Sequence, residues 1–266
     1  MVPNTNNVQP GGNNSSLSFL DKMFKFSERG SSLKTEVIGG VTTFLTMAYI
    51  VFVNPAILSE AGMDKAALIT VTILATAIGT LIFAILGNAP FALAPGMGLN
   101  AFFTYSLVIG AGIPWQTGLG VVFLSGCVFF TLAVTGLRKT IADAIPRELA
   151  VASSAGIGLF LAFVGLKNMG VIIANPDTIV SLADFTPTVL IALFALILMA
   201  ILEYKKVKGG ILISIVVATI ISVIFGFVEL PTAIISTPPS IAPVAFKLDI
   251  VGALKFSLIG PIFSFM

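Results

Sequence analysis

The sequence predicts an all-α polytopic membrane protein with about seven transmembrane segments and the start of an eighth. Hydrophobic residues make up 57% of its 266 residues, only 10% are charged, and the mean hydropathy is +1.07. These values lie outside the range of soluble globular proteins. The apolar residues also form separate stretches of about 20 residues, which is the length that a helix needs to cross a bilayer. No basic cluster indicates nucleic-acid binding.

Residues 1–32 are predicted to form a disordered cytoplasmic N-terminus. Five asparagines and a pair of glycines fall within the first 20 residues, a composition that cannot bury enough apolar surface to fold. This stretch lacks the cationic start and short apolar core of a cleaved signal peptide. We therefore expect the first transmembrane segment to direct membrane insertion.

Seven apolar stretches follow, each with few or no charges. They cover residues 37–58, 66–86, 90–110, 116–134, 149–166, 189–201 and 211–228. The sixth is short unless it begins at Thr186. An eighth starts near Val251, contains Lys255 and Pro261, and looks incomplete at Met266. From this pattern the chain is expected to be the first half of a larger protein.

The distribution of lysine and arginine predicts a cytoplasmic N-terminus. With that orientation, ten of the fourteen Lys and Arg residues lie on the cytoplasmic side, before segment one and after segments four and six. Only Lys65, Lys167, Lys247 and Lys255 remain outside or at the outer edge. The opposite orientation reverses this ratio and violates the tendency of positive charge to stay inside.

The third segment contains a stretch, Pro90 to Thr104, that cannot cross the bilayer as one regular helix. Residues 91–94 are predicted to be a short extended piece, and residues 96–110 a helix of roughly 22 Å at about 1.5 Å per residue. Gly96 and Gly98 would allow a flat ligand to approach the backbone, and the amide of Asn100 both donates and accepts hydrogen bonds. Transporters use such breaks at their substrate sites. A kinked helix packed on its glycines, with Asn100 bonded to a neighbouring helix, explains the same residues equally well.

Other polar residues give weaker indications of a site. The threonines of segment one are better explained by helix packing, and Asn54-Pro55 by a break at its outer end. None of the twelve Asp and Glu residues falls in the middle of a completed segment. The chain has no histidine and one cysteine, so we expect no metal site, no cofactor and no intramembrane enzyme chemistry.

Two long motifs resemble a known family. TTFLTMAYIVFVNPAIL in segment one and APFALAPGMGLNAFF in segment three are similar to the AzgA-like hypoxanthine, guanine and adenine permeases, within the wider group of xanthine and uracil permeases. The resemblance implies fourteen segments in two inverted repeats of seven. It also implies a core domain that includes segments one to four (33–136), a gate domain that includes segments five to seven (137–228), and an outer loop with a truncated segment eight (229–266).

The resemblance also implies a substrate site. In that family short strands in segments three and ten meet at the membrane midplane to form the purine site. Carried over to this chain, the strand covers residues 91–94, Asn100 is the polar residue near the base, and Leu99 and Ala101 lie beside it. Gly96, Gly98 and Ala94 complete the predicted substrate-binding set.

The function that the resemblance implies is uptake of purine nucleobases by symport with H⁺ or Na⁺ in the plasma membrane, and a homodimer is among the expected partners. The family's acidic residues lie in segments eight and ten, so residues 1–266 alone are expected to be inactive. A sulfate-transporter-type anion exchanger of related architecture remains an alternative, although segments one and three contain no cationic residue at the break. The second alternative is a half-protein that serves as a non-transporting membrane partner.

Overall fold

The structure, a computed structural model, describes residues 15–89, 91–144, 146–229, 237–255 and 259–265. Helix α1, Ser15–Phe24, lies within the range predicted to be disordered, so that prediction is wrong for these ten residues. Apolar residues four positions apart, such as Phe19 and Met23, give this stretch a helical period that the asparagine-rich start obscures. The predicted disorder over residues 1–14 lies outside the described residues.

The first apolar segment forms two helices in succession. Helix α2, Leu33–Met47, begins at Ser32, whose hydroxyl accepts a hydrogen bond from the backbone N–H of Thr35 at 3.3 Å. Helix α3, Ile50–Ser59, contains Pro55, which has no N–H to continue the helical hydrogen bonding. Together the two helices form a 27-residue apolar run that is long enough to cross a membrane.

Helix α4, Lys65–Gly87, matches the second predicted segment to within one residue at each end. Asp64 caps its start by accepting a hydrogen bond from the backbone N–H of Ala67 at 2.7 Å. Asn88 ends it in the left-handed conformation, with φ 43° and ψ 45°, which asparagine tolerates better than most residues.

The third segment is interrupted, as predicted, but its described residues, 91–110, contain no strand. Residues 91–96 have no regular secondary structure. Helix α5, Met97–Ala101, then continues into a π-helix, Phe102–Gly110. The strand predicted over residues 91–94 is absent because a strand needs a second backbone beside it, and the described part of the chain places none there.

Three helices follow the π-helix. Helix α6, Trp115–Val134, and helix α8, Arg147–Asn168, extend the predicted fourth and fifth segments by one and two residues at their starts. A short helix between them, α7, Leu137–Ala144, was not predicted. Gly136, with φ 77°, permits the turn that separates α6 from α7.

A β-hairpin that was not predicted connects the fifth and sixth segments. Strand β1, Ile172–Asn175, pairs antiparallel with strand β2, Ile179–Leu182. The side chain of Asn175 closes the turn by accepting hydrogen bonds from the backbone N–H groups of Asp177 at 2.8 Å and Thr178 at 3.1 Å. The otherwise helical fold therefore contains a two-stranded sheet.

The sixth and seventh segments form helices α9, Pro187–Tyr204, and α10, Gly210–Ile224. Helix α9 is longer than the predicted 189–201 because Thr186 caps it, accepting a hydrogen bond from the backbone N–H of Val189 at 3.4 Å. Helix α10 ends four residues before the predicted end at 228. The two helices pack mainly against each other.

The eighth segment begins as two short helices, α11, Ile250–Ala253, and α12, Ile259–Ser264. Helix α11 lies against α6. The backbone N–H of Asp249 donates to the carbonyl of Gln116 at 2.9 Å, and Gly120 has no side chain to hold the two elements apart.

The buried apolar core lies where α4, the π-helix, α6 and α11 meet. Its members are Ala61, Met63, Ala67, Leu68, Phe103, Leu107, Val121, Val244 and Ala253. Five helices in the described part of the chain have the length and composition to cross a membrane, and the helices over 97–110 and 210–224 are apolar but shorter. The architecture is therefore that of a mostly helical, polytopic membrane protein.

Candidate functional site

A cavity of about 460 Å³ lies beside the interrupted third segment. It is lined by Leu58, Gly96, Leu99, Asn100, Phe103, Leu119, Val122, Ser125, Gly126, Phe129 and Phe265. Its volume falls within the range of about 300–1,000 Å³ typical of small-molecule sites. Most of the wall is apolar or aromatic, and Asn100 and Ser125 contribute polar side chains. Such a wall suits a flat, largely apolar ligand with a polar edge.

At the break next to the cavity, a threonine side chain forms hydrogen bonds with the backbone. The hydroxyl of Thr80 on α4 accepts a hydrogen bond from the backbone N–H of Leu93 at 3.0 Å and donates one to the carbonyl of the same residue at 3.3 Å. Unpaired backbone groups at membrane depth are strongly unfavourable. One side chain therefore replaces, at Leu93, the hydrogen bonds that a neighbouring strand would supply.

A chain of hydrogen bonds connects Asn100 to α4 through α3. The side-chain amide of Asn100 donates to Oδ1 of Asn54, and Nδ2 of Asn54 donates to the hydroxyl of Thr72 at 2.8 Å. Asn54 is 4% exposed and Thr72 is 2% exposed. Three segments that are distant in sequence thus meet at buried polar side chains, which must bond to one another where water is excluded.

The predicted site residues separate into two groups. Gly96, Leu99 and Asn100 line the cavity. Ala101 is completely buried, and Gly98 faces helix α8, since a Cβ atom there would lie 3.1 Å from a methyl group of Ile157.

Ala94 is exposed and is not among the residues that line the cavity. The alternative interpretation of the segment is also partly realised, because Asn100 does bond to a neighbouring helix. The same residue therefore both joins helices and lines the cavity.

Several residues near the site were not predicted from the sequence. The sequence explains Asn54 as part of a helix break, although an asparagine before an intramembrane proline is also an indication of a polar site. Thr72 lies in the apolar run ITVTIL, where a hydroxyl suggests only a bond to its own helix. Ser125, Phe129 and Phe265 gave no signal, because their position on the cavity wall depends on how the helices pack.

An acidic residue, Asp249, lies at the start of α11, away from the cavity wall. Its carboxylate accepts hydrogen bonds from the backbone N–H of Gly252 at 2.9 Å and from the hydroxyl of Thr117 at 3.0 Å. These two hydrogen bonds, that of Gly252 first, lower the pKa of the Asp249 carboxyl. The ionised carboxylate thus helps to hold α11 on α6.

A second polar cluster joins the ends of three segments. The hydroxyl of Tyr105 donates to Glu60 at 3.0 Å. Lys167 lies 3.5 Å from the same carboxylate and 5.3 Å from the centre of the Tyr105 ring. The cluster connects α3 and the π-helix to α8. Within the described residues, no group of three or more His, Cys, Asp or Glu side chains could hold a metal ion.

Comparison with known sequences gives a consistent family match. The profile of the permease family of the xanthine/uracil type matches residues 34–265. A Methanocaldococcus jannaschii protein that is named as a permease, without a substrate, is 47% identical over 250 residues, covering 94% of this chain and 57% of that protein.

Two bacterial relatives have names that include a substrate. The adenine permease AdeP of Escherichia coli K12 is 44% identical over 248 residues, covering 93% of this chain and 56% of AdeP. The guanine/hypoxanthine permease PbuG of Bacillus subtilis is 45% identical over 234 residues, covering 84% of this chain and 53% of PbuG. The chain thus spans about half the length of the curated relatives that it matches.

Proposed function

Because this chain belongs to the permease family of the xanthine/uracil type, we propose that the protein carrying it transports purine nucleobases across a membrane. The names of its relatives, adenine permease and guanine/hypoxanthine permease, support this substrate class. The apolar helices support a multi-pass membrane protein. Hypoxanthine, guanine and adenine are therefore the first substrates to test.

The observation that carries the proposal is the position of Asn100 on the wall of the cavity. A nucleobase is a flat, partly apolar ring with donors and acceptors at its edge. The cavity wall includes the aromatic side chains of Phe103 and Phe129, and the Asn100 amide offers hydrogen bonds to the edge of the ring. Gly96, Leu99 and Asn100 are thus the proposed substrate contacts on this chain, whereas Gly98, Ala101 and Ala94 do not line the cavity.

An uptake assay tests this proposal. We expect the full-length gene product, expressed in cells that lack their own purine permeases, to accumulate radiolabelled hypoxanthine, guanine or adenine above an empty-vector control. Asn100→Ala should lower the affinity by about tenfold, the effect of losing one good hydrogen bond to a ligand. Equal uptake by vector and protein would refute the transport proposal, and unchanged affinity would remove Asn100 from the site.

Residues 1–266 expressed alone are proposed to be inactive, because the resemblance places the other half of the site and the acidic residues in later segments. A chimera tests this directly. Residues 1–266 joined to the second half of PbuG should take up guanine or hypoxanthine, whereas either half alone should not. Uptake by residues 1–266 alone would overturn the proposal.

Coupling to H⁺ is proposed from the family resemblance, with Na⁺ as the other candidate ion. Uptake that is abolished by collapsing the pH gradient, and unaffected by replacing Na⁺ with choline, would support H⁺. The reverse result would support Na⁺.

The same proposal includes the division into core and gate segments, the inverted repeat and a homodimer. Crosslinking in intact membranes tests the dimer.

The proposed cytoplasmic N-terminus is supported by the distribution of positive charge, and the plasma-membrane location is proposed from the family resemblance. A cysteine introduced next to Lys22 should react with a membrane-impermeant reagent only after the membrane is opened, and one next to Lys247 should react in intact cells. The opposite pattern would reverse the orientation. Uptake of labelled sulfate that purines do not inhibit would favour the anion exchanger.

A further inference from the structure

The direction of the hydrogen bonds in the chain from Thr72 to Asn100 is determined at its first member. Thr72 donates its hydroxyl hydrogen to the carbonyl of Leu68 in its own helix, at 2.7 Å. Only lone pairs of the Thr72 oxygen then remain for Asn54, which lies 2.8 Å away. Asn54 must therefore turn its NH₂ group toward Thr72 and its oxygen away from it.

The same reasoning determines the orientation of Asn100. The side-chain oxygen of Asn54 can only accept, so Asn100 must turn its NH₂ group toward Asn54. The side-chain oxygen of Asn100 is left over. In the described part of the chain it accepts no hydrogen bond, and Asn100 lines the cavity.

We infer that Thr72, acting through Asn54, is a positioning residue that keeps the Asn100 side-chain oxygen available as a hydrogen-bond acceptor for the ligand. The inference rests on the proposed function, in which the cavity binds a nucleobase. The ligand edge that faces Asn100 then carries an N–H donor. The cavity selects for that N–H group and discriminates against an otherwise similar ring that lacks it.

A fixed orientation matters because a side-chain amide has nearly the same shape after a half turn, which exchanges its oxygen and nitrogen. A nucleobase presents donors and acceptors side by side, so an amide free to turn would accept either pattern. The burial of Asn54 and Thr72 excludes water that could replace a lost partner. We call the hydrogen-bonded chain Thr72–Asn54–Asn100 the relay. The relay therefore holds the Asn100 amide in one of its two orientations, with the oxygen toward the cavity.

Equilibrium binding to the purified full-length gene product tests the inference. The probes are hypoxanthine and analogues in which one ring N–H at a time is replaced by N–CH₃ or by sulfur. We expect the unmodified protein to bind hypoxanthine at least about tenfold more tightly than one of these analogues. Thr72→Val, which removes the acceptor for Asn54 without changing the side-chain shape, should reduce that ratio to less than about threefold.

Two further variants serve as controls. Thr72→Ser retains the hydroxyl and should restore the ratio. Thr76→Val makes the same substitution one turn along α4, where the buried hydroxyl has no hydrogen-bond partner among the described residues, and should leave the ratio unchanged. If Thr72→Val weakens every probe by the same factor, or if Thr76→Val lowers the ratio equally, the inference is overturned.

A measurement without ligand separates this inference from the proposed function. Thr72 and Asn100 are connected through Asn54, so their effects on thermal unfolding should be non-additive, and the double variant Thr72→Val/Asn100→Leu should lose less in Tm than the two single losses combined. The non-additivity should disappear in an Asn54→Leu background. Additive losses would refute the relay. If the unmodified protein binds no nucleobase, the transport proposal fails and the thermal cycle still decides the relay.

Discussion

Two regions of the molecule, α3 to α6 and α8 to α10, are similarly apolar but differ in how much of their surface is buried and in what their polar side chains bond to. In the region from α3 to α6, the most apolar stretches of α4 and α6 are 11% and 28% buried, whereas those of α8 and α9 are each 6% buried. Side chains in the first region also bond across helices, as Asn54 does with Thr72. In α10 the hydroxyls of Ser214 and Thr219 bond to carbonyls of their own helix. Hydropathy thus predicts that a helix lies in a membrane but not what it packs against.

Adding one methyl group at a glycine is expected to give the largest difference in stability loss between the two regions. A Cβ atom at Gly120 would lie 2.2 Å from the carbonyl oxygen of Asp249 and 2.9 Å from Cβ of Ala253. Gly120→Ala must displace α11 from α6 and should reduce the free energy of unfolding by about 3 kcal/mol. Thermal unfolding in detergent measures the loss.

Gly158 on α8 provides the matched control, because a Cβ atom there meets nothing within 4 Å among the described residues. Gly158→Ala should leave stability unchanged or raise it by up to about 1 kcal/mol through helix propensity. Equal losses at Gly120 and Gly158 would contradict the contrast between the two regions.

A hydroxyl supplies the next contrast. Thr80→Val leaves both backbone groups of Leu93 without their partner and should destabilise the protein by about 2 kcal/mol. Thr219→Val removes a hydroxyl whose hydrogen bond among the described residues is to its own helix, at the carbonyl of Ile215, and should change stability by less than about 0.5 kcal/mol. Hydrogen exchange at the Leu93 amide should rise in the first variant alone; an unchanged rate would show that the Thr80 bond is dispensable.

Acid should weaken the attachment of α11. The folded-state pKa of Asp249 is lowered, so its contribution to stability is present above the unfolded pKa of about 3.9 and is lost as the pH falls through the folded value. Asp249→Asn should therefore have a lower Tm than the unmodified protein at pH 7, and the gap should narrow toward pH 3. A gap that stays constant over this range would show that ionisation of Asp249 does not stabilise α11. Thr117→Val, which removes one donor, should show a smaller gap with the same trend.

The smallest effect is expected where the two regions meet at Lys167 and Glu60. The side chains of this ion pair are 52% and 34% exposed, and exposed pairs contribute about 0–1 kcal/mol. Lys167→Met should change the free energy of unfolding by less than about 0.5 kcal/mol, with little dependence on salt. A loss comparable to that of Thr80→Val would mean that the contact between α3 and α8 is a major support of the fold.

Much of the fold could be predicted because it depends on local composition. The bounds of α4 and α6 follow from where apolar runs end, within one residue of the structure at each end. The longer α9 follows from Thr186 and Pro187, which are helix-start signals. Short elements escaped prediction: the asparagine-rich start obscures the period of α1, α7 is only eight residues long, and the hairpin at 172–182 lies in a stretch that hydropathy treats as a loop.

The site was only partly predictable. Asn100 stood out because it is a lone polar residue after a proline and two glycines. Gly98 looked equivalent to Gly96, yet one faces Ile157 and the other lines the cavity, because their positions around the helix axis differ. Thr72 could not be linked to Asn100 at all, since the connection passes through Asn54 on another helix.

The order of amino acids is enough to predict which stretches are apolar, where the third is interrupted, and that an asparagine follows the interruption. These properties depend on each residue's transfer from water and on the local limits that proline and glycine place on the backbone. The tertiary structure alone decided that Thr80 satisfies the broken backbone and that Thr72, Asn54 and Asn100 form one directed chain. Hydrogen bonds act over about 3 Å, so only the packing and rotation of the helices can bring residues so distant in sequence within reach.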